Sequence, residues 1–460
     1  MKKLIFALVL PFLVAQSAAA VAATYTLQQI DAAPASPSSF GFSSVTLNDI
    51  GFVSYATPFQ RDPNNPTAAR RTFLILTDLS GNKQILDSME TFSYAGGPQL
   101  NNANEVAIGV RDAGVLLFKD GNRETTIEPS RVRDSTDFRG FNLTESGDII
   151  AVYGSSNFDI PESIELFRDG EQTTLLSEDI NGPFEPSSAI VSANGDIAFF
   201  SRTGNGSTNP LRVFSGNAND GFAEIALLEQ PQFLGQSDNG NLLIAFDGGG
   251  GPDRTILALT ASGEEILRFP EARGARGYAI NDDGQVSYTR LDTSTTPLAG
   301  ELVINSANGS DVLRFPIETD VDGNLIDPRI ASLLNNQGDA ALLTQLTTVS
   351  GATQETFLSL SVVMGGIFTE ILRTGDTLTG KVVASILLGS DGFNDVGQLA
   401  FQVVFEDTSR AIFLASPDGV SEVPIPAALS IFVGGVGALR LSTKNRRARG
   451  AQRFFTKSAS

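Results

Sequence analysis

An eight-residue pattern recurs along this chain and constrains its fold more than any other feature. It is an Asn-x-x-Gly turn followed by apolar residues. It reads Asn-Asp-Val-Gly-Gln-Leu-Ala-Phe at residues 394–401, Asn-Asp-Asp-Gly-Gln-Val-Ser-Tyr at 281–288 and Asn-Asp-Ile-Gly-Phe-Val-Ser-Tyr at 48–55. Degenerate copies lie at residues 101–108, 144–151, 192–199, 238–245 and 335–342. Such self-similarity is typical of repeat architectures, in which each unit packs against its neighbours.

The polar residues of the pattern are predicted to shape turns. The structural turn residues of the three best copies are Asn48, Gly51, Asn281, Gly284, Asn394 and Gly397. Glycine supplies a positive φ without strain, and the second copy has Asn104 at that position, the residue type that tolerates positive φ next best. The Asn or Asp at the start is expected to hydrogen-bond the backbone two residues on.

The apolar residues that follow each turn predict strands buried between neighbouring sheets. A second turn of the Asp-Gly or Ser-Gly type follows in most copies and indicates a further hairpin. Units of four strands that recur every 43 to 59 residues are typical of β-propeller blades.

The predicted fold class is therefore all-β, a β-propeller-like ring of about eight four-stranded repeats, or seven if one copy is irregular. An open β-solenoid and two stacked sandwiches are the alternatives. Residues 25–30 are expected to complete the last blade beside residues 420–423, because closure removes an exposed edge.

The composition excludes several function classes. The chain contains no Cys, His or Trp, which excludes thiolate nucleophiles, disulfides and Ser-His-Asp triads. The formal net charge is −20, and such a surface repels nucleic acid. We therefore expect no nucleic-acid partner, and we expect any bound metal to be a hard cation held by oxygen ligands.

The N-terminal segment is predicted to be a secretory signal peptide over residues 1–23. It has the basic pair Lys2 and Lys3, an apolar stretch over residues 4–15 and small-x-small cleavage motifs at 18–20 and 20–22. The apolar stretch is shorter than the ~20 residues that a membrane span needs. The expected partner is the secretion machinery, and residues 24–422 form the predicted propeller domain.

The C-terminal segment, residues 423–460, is predicted to be a sorting and anchor tail. It begins with Val423, Pro424, Ile425, Pro426, Ala427 and Ala428. A short apolar stretch follows over residues 429–439, and a basic cluster follows over residues 444–449. A positive cluster of this kind stays on the cytoplasmic side of a membrane, so we expect transient membrane contact through this tail.

The tail resembles the PEP-CTERM class of bacterial sorting signals in its VPLPA variant. The resemblance implies recognition by an exosortase-type processing enzyme. It also implies a mature protein at the cell surface, in the outer envelope or in the extracellular space, often alongside exopolysaccharide. The apolar stretch is shorter than the pattern requires, and Arg440 interrupts its end.

The repeats resemble the bacterial NxxGxxAF tandem-repeat proteins. Residues 394–401 match that signature outright, and residues 281–288 and 48–55 match it with Ser for Ala and Tyr for Phe. The resemblance spans nearly all of residues 25–424. It implies a repeat fold and export, and it implies no defined activity.

One cluster has the composition of a calcium site. Asp320, Asp322, Asn324 and Asp327 place alternating oxygen ligands around a glycine. In an EF-hand loop the glycine is at the sixth position, whereas here it is at the fourth. A polar loop between blades is the alternative interpretation. No other cofactor is predicted. Tyr278, Arg273 and Arg276 are candidates to line one face of the ring, but a surface strand with solvated arginines is the favoured interpretation of this segment.

The leading functional hypothesis is a non-enzymatic, exported repeat protein with a structural or binding role. Surface polysaccharide or another surface protein is the expected partner. One alternative is a secreted glycan-active enzyme that uses paired carboxylates, and another is a calcium-stabilised adhesin. A central funnel with closely placed carboxylates of raised pKa would favour the enzyme.

Overall fold

The computed structural model describes residues 24–33, 42, 44–57, 71–89, 97–110, 114–127, 138–153, 163–177, 184–202, 211–247, 254–272, 275–292, 299–316, 326–350 and 353–418. Thirty-three strands, β1 to β33, account for the regular structure of these residues. No helix long and apolar enough to cross a membrane occurs among them. The predicted signal peptide (1–23) and the sorting signal (423–428) lie outside the described residues.

The strands form eight antiparallel sheets, one per blade, within the compact unit that ends at Pro417. After β1 (Tyr25–Ala33), blade one contains β2 (Thr46–Leu47), β3 (Val53–Ala56), β4 (Thr72–Thr77) and β5 (Lys83–Met89). Blade two contains β6 (Gln99–Leu100), β7 (Val106–Val110), β8 (Gly114–Lys119) and β9 (Asn122–Ile127). Blade three contains β10 (Phe138–Leu143), β11 (Ile149–Tyr153), β12 (Ser163–Arg168) and β13 (Glu171–Ser177).

The same order of four strands continues through the next four blades. Blade four contains β14 (Phe184–Val191), β15 (Ile197–Arg202), β16 (Leu211–Asn217) and β17 (Gly221–Leu228). Blade five contains β18 (Gln232–Gln236), β19 (Leu242–Asp247), β20 (Arg254–Leu259) and β21 (Glu265–Pro270). Blade six contains β22 (Arg276–Ile280), β23 (Val286–Asp292), β24 (Ala299–Ser306) and β25 (Gly309–Pro316). Blade seven contains β26 (Ile326–Leu334), β27 (Ala340–Ser350), β28 (Thr353–Met364) and β29 (Ile367–Arg373).

Blade eight joins the two ends of the folded region. It contains β31 (Lys381–Phe393), β32 (Leu399–Phe405), β33 (Arg410–Pro417) and β1, and the short β30 (Thr377–Leu378) pairs with the start of β31. The prediction of an eight-bladed propeller is thus confirmed.

The closing strand was predicted correctly, but its partner was wrong. β1 pairs with β33 from Tyr25 opposite Pro417 to Ala33 opposite Arg410, whereas residues 420–423 lie outside the described residues. The buried side chains explain this pairing, because Ile30 of β1 packs in one cluster with Ile412 and Leu414 of β33.

Eight apolar clusters hold the ring together, and each one spans two consecutive blades. In β7, Val106 and Ile108 pack with blade one, whereas Ala107 between them packs with blade three. Successive side chains of a strand point to opposite faces. The apolar runs are therefore continuous because both faces of these strands are covered by neighbouring blades.

The repeated turns have the predicted backbone conformation. The φ angles are 88° at Gly51, 73° at Gly284, 78° at Gly397 and 61° at Asn104. The fifth copy was predicted one residue too late, because the Gly240 N–H donates to the carbonyl oxygen of Ser237 at 3.0 Å. The turn therefore begins at Ser237, and Asp238 takes its second position.

The substitution Gly284→Ala is expected to destabilise the protein more than Gly170→Ala. Both glycines have positive φ, 73° and 80°, so either alanine should lose about 1 kcal/mol through backbone strain alone. An added Cβ at Gly284 would lie 2.8 Å from Ile266 Cγ2, whereas one at Gly170 meets nothing within 4 Å. We therefore expect Gly284→Ala to lower the free energy of unfolding by about 2–3 kcal/mol. Urea denaturation measures this free energy for both variants, and equal losses would contradict the packing argument.

Candidate functional site

The repeated turns meet at the axis of the ring. The first strand of each blade is innermost, and these strands and the turns that follow them line a central channel of about 480 Å³. All eight blades contribute lining residues. The site is therefore built by the repeat itself, and one position of the turn can be compared around the whole ring.

The first residue of each turn closes its own turn. Its side-chain oxygen accepts a hydrogen bond from the backbone N–H four residues on, as in Asn48 with Phe52 at 2.8 Å and Asn394 with Gln398 at 2.8 Å. The predicted bond from two residues on is present in addition at Asn101 and Asn335. This position thus shapes the turn, mainly through a longer bond than the one predicted.

The amide group of the same residue also joins adjacent blades. Its Nδ2 atom donates to the carbonyl oxygen of the equivalent residue in the next blade. These bonds join Asn48 to Asn101 (2.9 Å), Asn101 to Thr144 (3.0 Å), Asn281 to Asn335 (3.0 Å), Asn335 to Asn394 (3.1 Å) and Asn394 to Asn48 (3.0 Å). Blades three, four and five have Thr144, Ser192 and Ser237 instead. Asn142 and Asn241 donate across the gap from blades three and five, and the Asn194 N–H does so from blade four. Because the acceptors are buried, each bond satisfies a group that is costly to leave unpaired.

The second residue of each turn forms another ring, here called the mouth ring. Its members are Asp49, Asn102, Glu145, Ala193, Asp238, Asp282, Asn336 and Asp395. In most of the ring, a turn's backbone N–H donates to the side-chain oxygen of the next member. These bonds are Asp49 to Asn102 (2.9 Å), Asn102 to Glu145 (2.9 Å), Asn239 to Asp282 (2.7 Å), Asp282 to Asn336 (3.0 Å), Asn336 to Asp395 (2.8 Å) and Asp395 to Asp49 (3.1 Å).

The mouth ring is interrupted at blades four and five. Ala193 offers no side-chain acceptor, so the Glu145 N–H donates to its carbonyl oxygen at 2.7 Å. The Asn194 N–H then donates to the backbone oxygen of Asp238 at 3.3 Å, not to its carboxylate. Among the residues that the structure describes, none donates a hydrogen bond to the Asp238 carboxylate.

An apolar collar lies next to the mouth ring. It consists of the residue that precedes each turn: Leu47, Leu100, Leu143, Val191, Ile280, Leu334 and Phe393, with Gln236 at the equivalent position of blade five. In most blades the channel lining therefore changes from charged or polar to apolar within two residues along the innermost strand. A ligand in it would meet both kinds of surface.

The channel has a strongly negative character. Asp49, Glu145, Asp238, Asp391 and Asp395 line it, and no Lys or Arg is among the described lining residues. Asp238 and Glu145 are exposed to the solvent of the channel. Partial loss of hydration inside the ring, together with the charges of Asp282, Asp49, Asp395 and Glu145, still raises the pKa of Asp238 to about 6. Partial loss of hydration is also the main cause that raises the pKa of Glu145. Such shifts are typical of functional sites but also occur in structural charge networks.

The stability of the protein is expected to rise as the pH falls from 7 towards 4.5, in part through Asp238. Its pKa is raised in the folded state, so the folded protein binds this proton more readily than the unfolded chain. Asp238→Asn should therefore raise the melting temperature at pH 7 and flatten the dependence on pH. The melting temperatures of the two proteins should approach each other near pH 4.5. A constant difference across this range would contradict the assignment of the pKa.

Few of the other predicted site residues lie in the part of the chain that the structure describes. Asp320, Asp322 and Asn324 lie outside the described residues, and only the backbone of Asp327 is described, within β26. No group of three or more acidic residues that could hold a metal ion occurs in the described part of the chain. Tyr278 lines the channel and Arg276 is an exposed residue of β22, whereas Arg273 lies outside the described residues.

Sequence reasoning missed the mouth ring because it treated the turns as purely structural. A signal was available, since the second turn position is Asp, Asn or Glu in every copy except the fourth. That position faces the axis only because the innermost strands converge there. The spacing of residues along the chain does not reveal which strand of a blade is innermost.

The fold defines the protein as an eight-bladed β-propeller. No family model and no curated protein sequence matches the chain. Among solved structures, it is similar to a eukaryotic initiation factor at 11% identity, with 81% of this chain and 83% of that chain covered and a TM-score of 0.43. A polysaccharide lyase is similar at 8% identity, with 83% and 91% covered and a TM-score of 0.36. The β-propeller domain of the Trilobed protease from Pyrococcus furiosus is similar at 12% identity, with 62% and 92% covered and a TM-score of 0.32.

Proposed function

We propose that this protein is an exported, non-enzymatic β-propeller with a binding or structural role at the cell surface or in the extracellular matrix. The observation that supports a binding role is the closed set of inter-blade hydrogen bonds around an open, acidic channel. Most mouth-ring carboxylates already accept a backbone N–H, so they serve the scaffold rather than proton transfer. A rigid ring of this kind presents a preformed site at a low entropic cost of binding.

Export and sorting follow from the two ends of the chain. Residues 1–23 are proposed to be removed as a signal peptide. The segment from Val423 to Ala428 is proposed to be recognised by an exosortase-type enzyme, as in the PEP-CTERM class that the tail resembles. The basic cluster at residues 444–449 would hold the tail in the membrane transiently, with its charges on the cytoplasmic side. The NxxGxxAF-like repeats then act outside the cell, where surface polysaccharide or a surface protein is the partner.

Mass spectrometry of the protein from native cell fractions tests this proposal. We expect mature termini that lack the signal peptide and the basic tail. Replacement of both Pro424 and Pro426 by Ala should leave unprocessed protein in the membrane fraction, and Ser421→Ala is the matched control that should be processed normally. Soluble protein with an intact C-terminus through Ser460 would contradict the sorting proposal. A glycan array probed with the mature protein then tests for polysaccharide binding.

A glycan-active enzyme is the second candidate, and the channel electrostatics favour it. Asp238 and Glu145 line the same channel, and both have a raised pKa. A carboxyl group with a pKa near 6 can act as a general acid. Release of reducing ends from polysaccharides by the native protein, lost in both Asp238→Asn and Glu145→Gln, would establish the enzyme. Binding of a glycan without turnover would support the binding protein.

A further inference from the structure

One sector of the channel differs from the rest. Every other polar side chain of the mouth ring accepts a hydrogen bond from a backbone N–H of the preceding blade. No such bond joins the Ala193 N–H to the Asp238 carboxylate. The short side chain of Ala193 leaves space where the other blades have Asp, Asn or Glu. The interruption therefore places an exposed carboxylate, to which no described residue donates a hydrogen bond, in the blade next to a small side chain.

One further hydrogen-bonding oxygen in this sector is without a partner. Gln236 Oε1 is shielded from solvent, and no described residue bonds to it. Gln236 lines the channel in the same blade as Asp238. Buried polar atoms are usually paired, so an unpaired group is worth explaining. The Tyr278 hydroxyl is also unpaired, but its charged neighbours are Glu271 and Arg254, so it belongs to the other end of the blade.

The apolar collar limits the chemical class of ligand that the channel can bind. Val191 of blade four and Ile280 of blade six are the collar residues of the blades on either side of Asp238, and both line the channel. The polar end of a ligand at Asp238 must supply hydrogen-bond donors and tolerate a negative potential, and the part beside the collar must be apolar. The channel volume of about 480 Å³ lies within the range of roughly 300–1,000 Å³ that holds small organic ligands.

We propose that the channel binds an organic cation, an ammonium or guanidinium group on a narrow apolar stem, with its charged end between Ala193 and Asp238. This inference rests on the proposed binding function and names its ligand class. A metal ion fits less well, because in the described part of the chain no three acidic side chains come close enough to hold one. An anion is repelled by the mouth ring, and a neutral ligand would gain nothing from its charge.

Binding of such a cation should depend on pH in a defined way. The group would bind the ionised form of Asp238, whose charged neighbours around the mouth ring are Asp282, Asp49, Asp395 and Glu145. Affinity should therefore decrease as the pH falls through about 6. The Asp238→Asn protein should show weaker binding with a much smaller dependence on pH, which a purely structural residue would not produce.

Isothermal titration calorimetry of the full chain with hexamethylenediamine tests the proposal. We expect one bound diamine per chain at pH 7.5, and no binding of hexanediol, which has the same stem without charge. Asp238→Asn should bind at least about tenfold more weakly, because a charge-assisted hydrogen bond is lost. Glu264→Gln is the matched control, since Glu264 is an exposed acid of the same blade that does not line the channel, and its affinity should equal that of the native chain.

A second variant tests the position of the site without removing the carboxylate. Ala193→Asn places in blade four the residue that blades two and seven have at this position, and it should fill the space and weaken binding several-fold. Equal affinity of the native, Asp238→Asn and Glu264→Gln proteins would overturn the proposal. So would undiminished binding by Ala193→Asn, or binding of Ca²⁺ or Mg²⁺ but not of the diamine.

The two proposals fail in different ways. Protein that is exported and processed but does not bind the diamine rejects the ligand class and leaves the proposed location intact. Protein that binds the diamine but stays inside the cell, with both ends intact, rejects export and leaves the channel site intact.

Discussion

Removal of residues 24–33 is expected to prevent stable folding of the propeller. These residues contain β1, which supplies the outermost strand of blade eight and pairs with β33 over its whole length. Tyr25, Leu27 and Ile30 pack against the apolar clusters on the two sides of that blade. Loss of three such side chains should cost more than about 5 kcal/mol, which is comparable to the whole stability of many domains.

Contacts beyond the strand pairing add to this effect. The Tyr25 hydroxyl donates to Met364 Sδ at 2.8 Å, and the Tyr55 hydroxyl donates to Asp31 Oδ2 at 3.0 Å. β1 therefore contacts blades seven and one as well as blade eight. Circular dichroism and size-exclusion chromatography should show loss of the folded ring in the shortened chain, and exposure of the β33 edge should promote aggregation.

A circular permutant provides the control for this prediction. Because Tyr25 lies opposite Pro417, a short turn can join the end of β33 to residue 24, so that β1 follows β33 as a hairpin. This permutant keeps every strand and should regain the melting temperature of the native chain within a few degrees. A shortened chain that melts like the native protein would show that closure by β1 is not needed.

Asn394→Ala is expected to have the second largest effect, a loss of about 3 kcal/mol, because it leaves several buried polar groups without partners. Asn394 donates to the Asn48 carbonyl oxygen at 3.0 Å and to Gln398 Oε1 at 2.9 Å, and it accepts from the Gln398 N–H at 2.8 Å. Its side chain is buried. One of these bonds joins blade eight to blade one, so the substitution weakens both a turn and the seam of the ring.

Ser192→Ala is the matched control, since Ser192 has the same position in the fourth copy. Its hydroxyl accepts one hydrogen bond, from the Asp196 N–H at 3.0 Å, and the inter-blade bond to its carbonyl oxygen comes from Asn142. The expected loss is about 1 kcal/mol. Denaturant unfolding of both variants at the same pH measures the difference. Equal losses would show that the inter-blade amide bonds add little to stability.

These bonds explain why the repeat has its polar residues. At the first turn position, one side chain both closes its turn and reaches the next blade, which requires an acceptor and a donor on the same short group. Asn meets this requirement. Where Thr144 or Ser237 replaces it, a second asparagine, Asn142 or Asn241, makes the inter-blade bond instead.

A comparison of the second turn position between blades distinguishes residues that stabilise the ring from residues of the candidate site. Asp395 and Asp282 accept backbone hydrogen bonds and belong to the scaffold, whereas Asp238 has the same turn position without that role. Residues of the same type at the same turn position thus differ in chemistry. The bond from the preceding blade makes the difference, because the Asn194 N–H donates to the backbone oxygen of Asp238, whereas the Asn239 N–H donates to the Asp282 carboxylate.

The sequence by itself determined the fold class, a blade count of about eight and the conformation of the turns. It could do so because glycine at positive φ, short apolar strands and hairpin turns are local features that repeat in register. It also identified β1 as the closing strand. The partner of β1 was decided by tertiary packing, through the burial of Ile30. The start of the fifth turn is a local feature, given by the bond from the Gly240 N–H to the Ser237 carbonyl oxygen, and the prediction placed it one residue too late.

Only the tertiary structure decided which residues meet at the axis. The mouth-ring residues are roughly 50 residues apart along the chain, and no spacing rule predicts that Asp238 lies near Asp49 and Asp395. Ring closure brings them together, and partial loss of water, with their mutual repulsion, then raises the pKa of Asp238. The repeated turn is thus a local structure that the sequence encodes, whereas its acidic channel is a property of eight blades arranged around one axis.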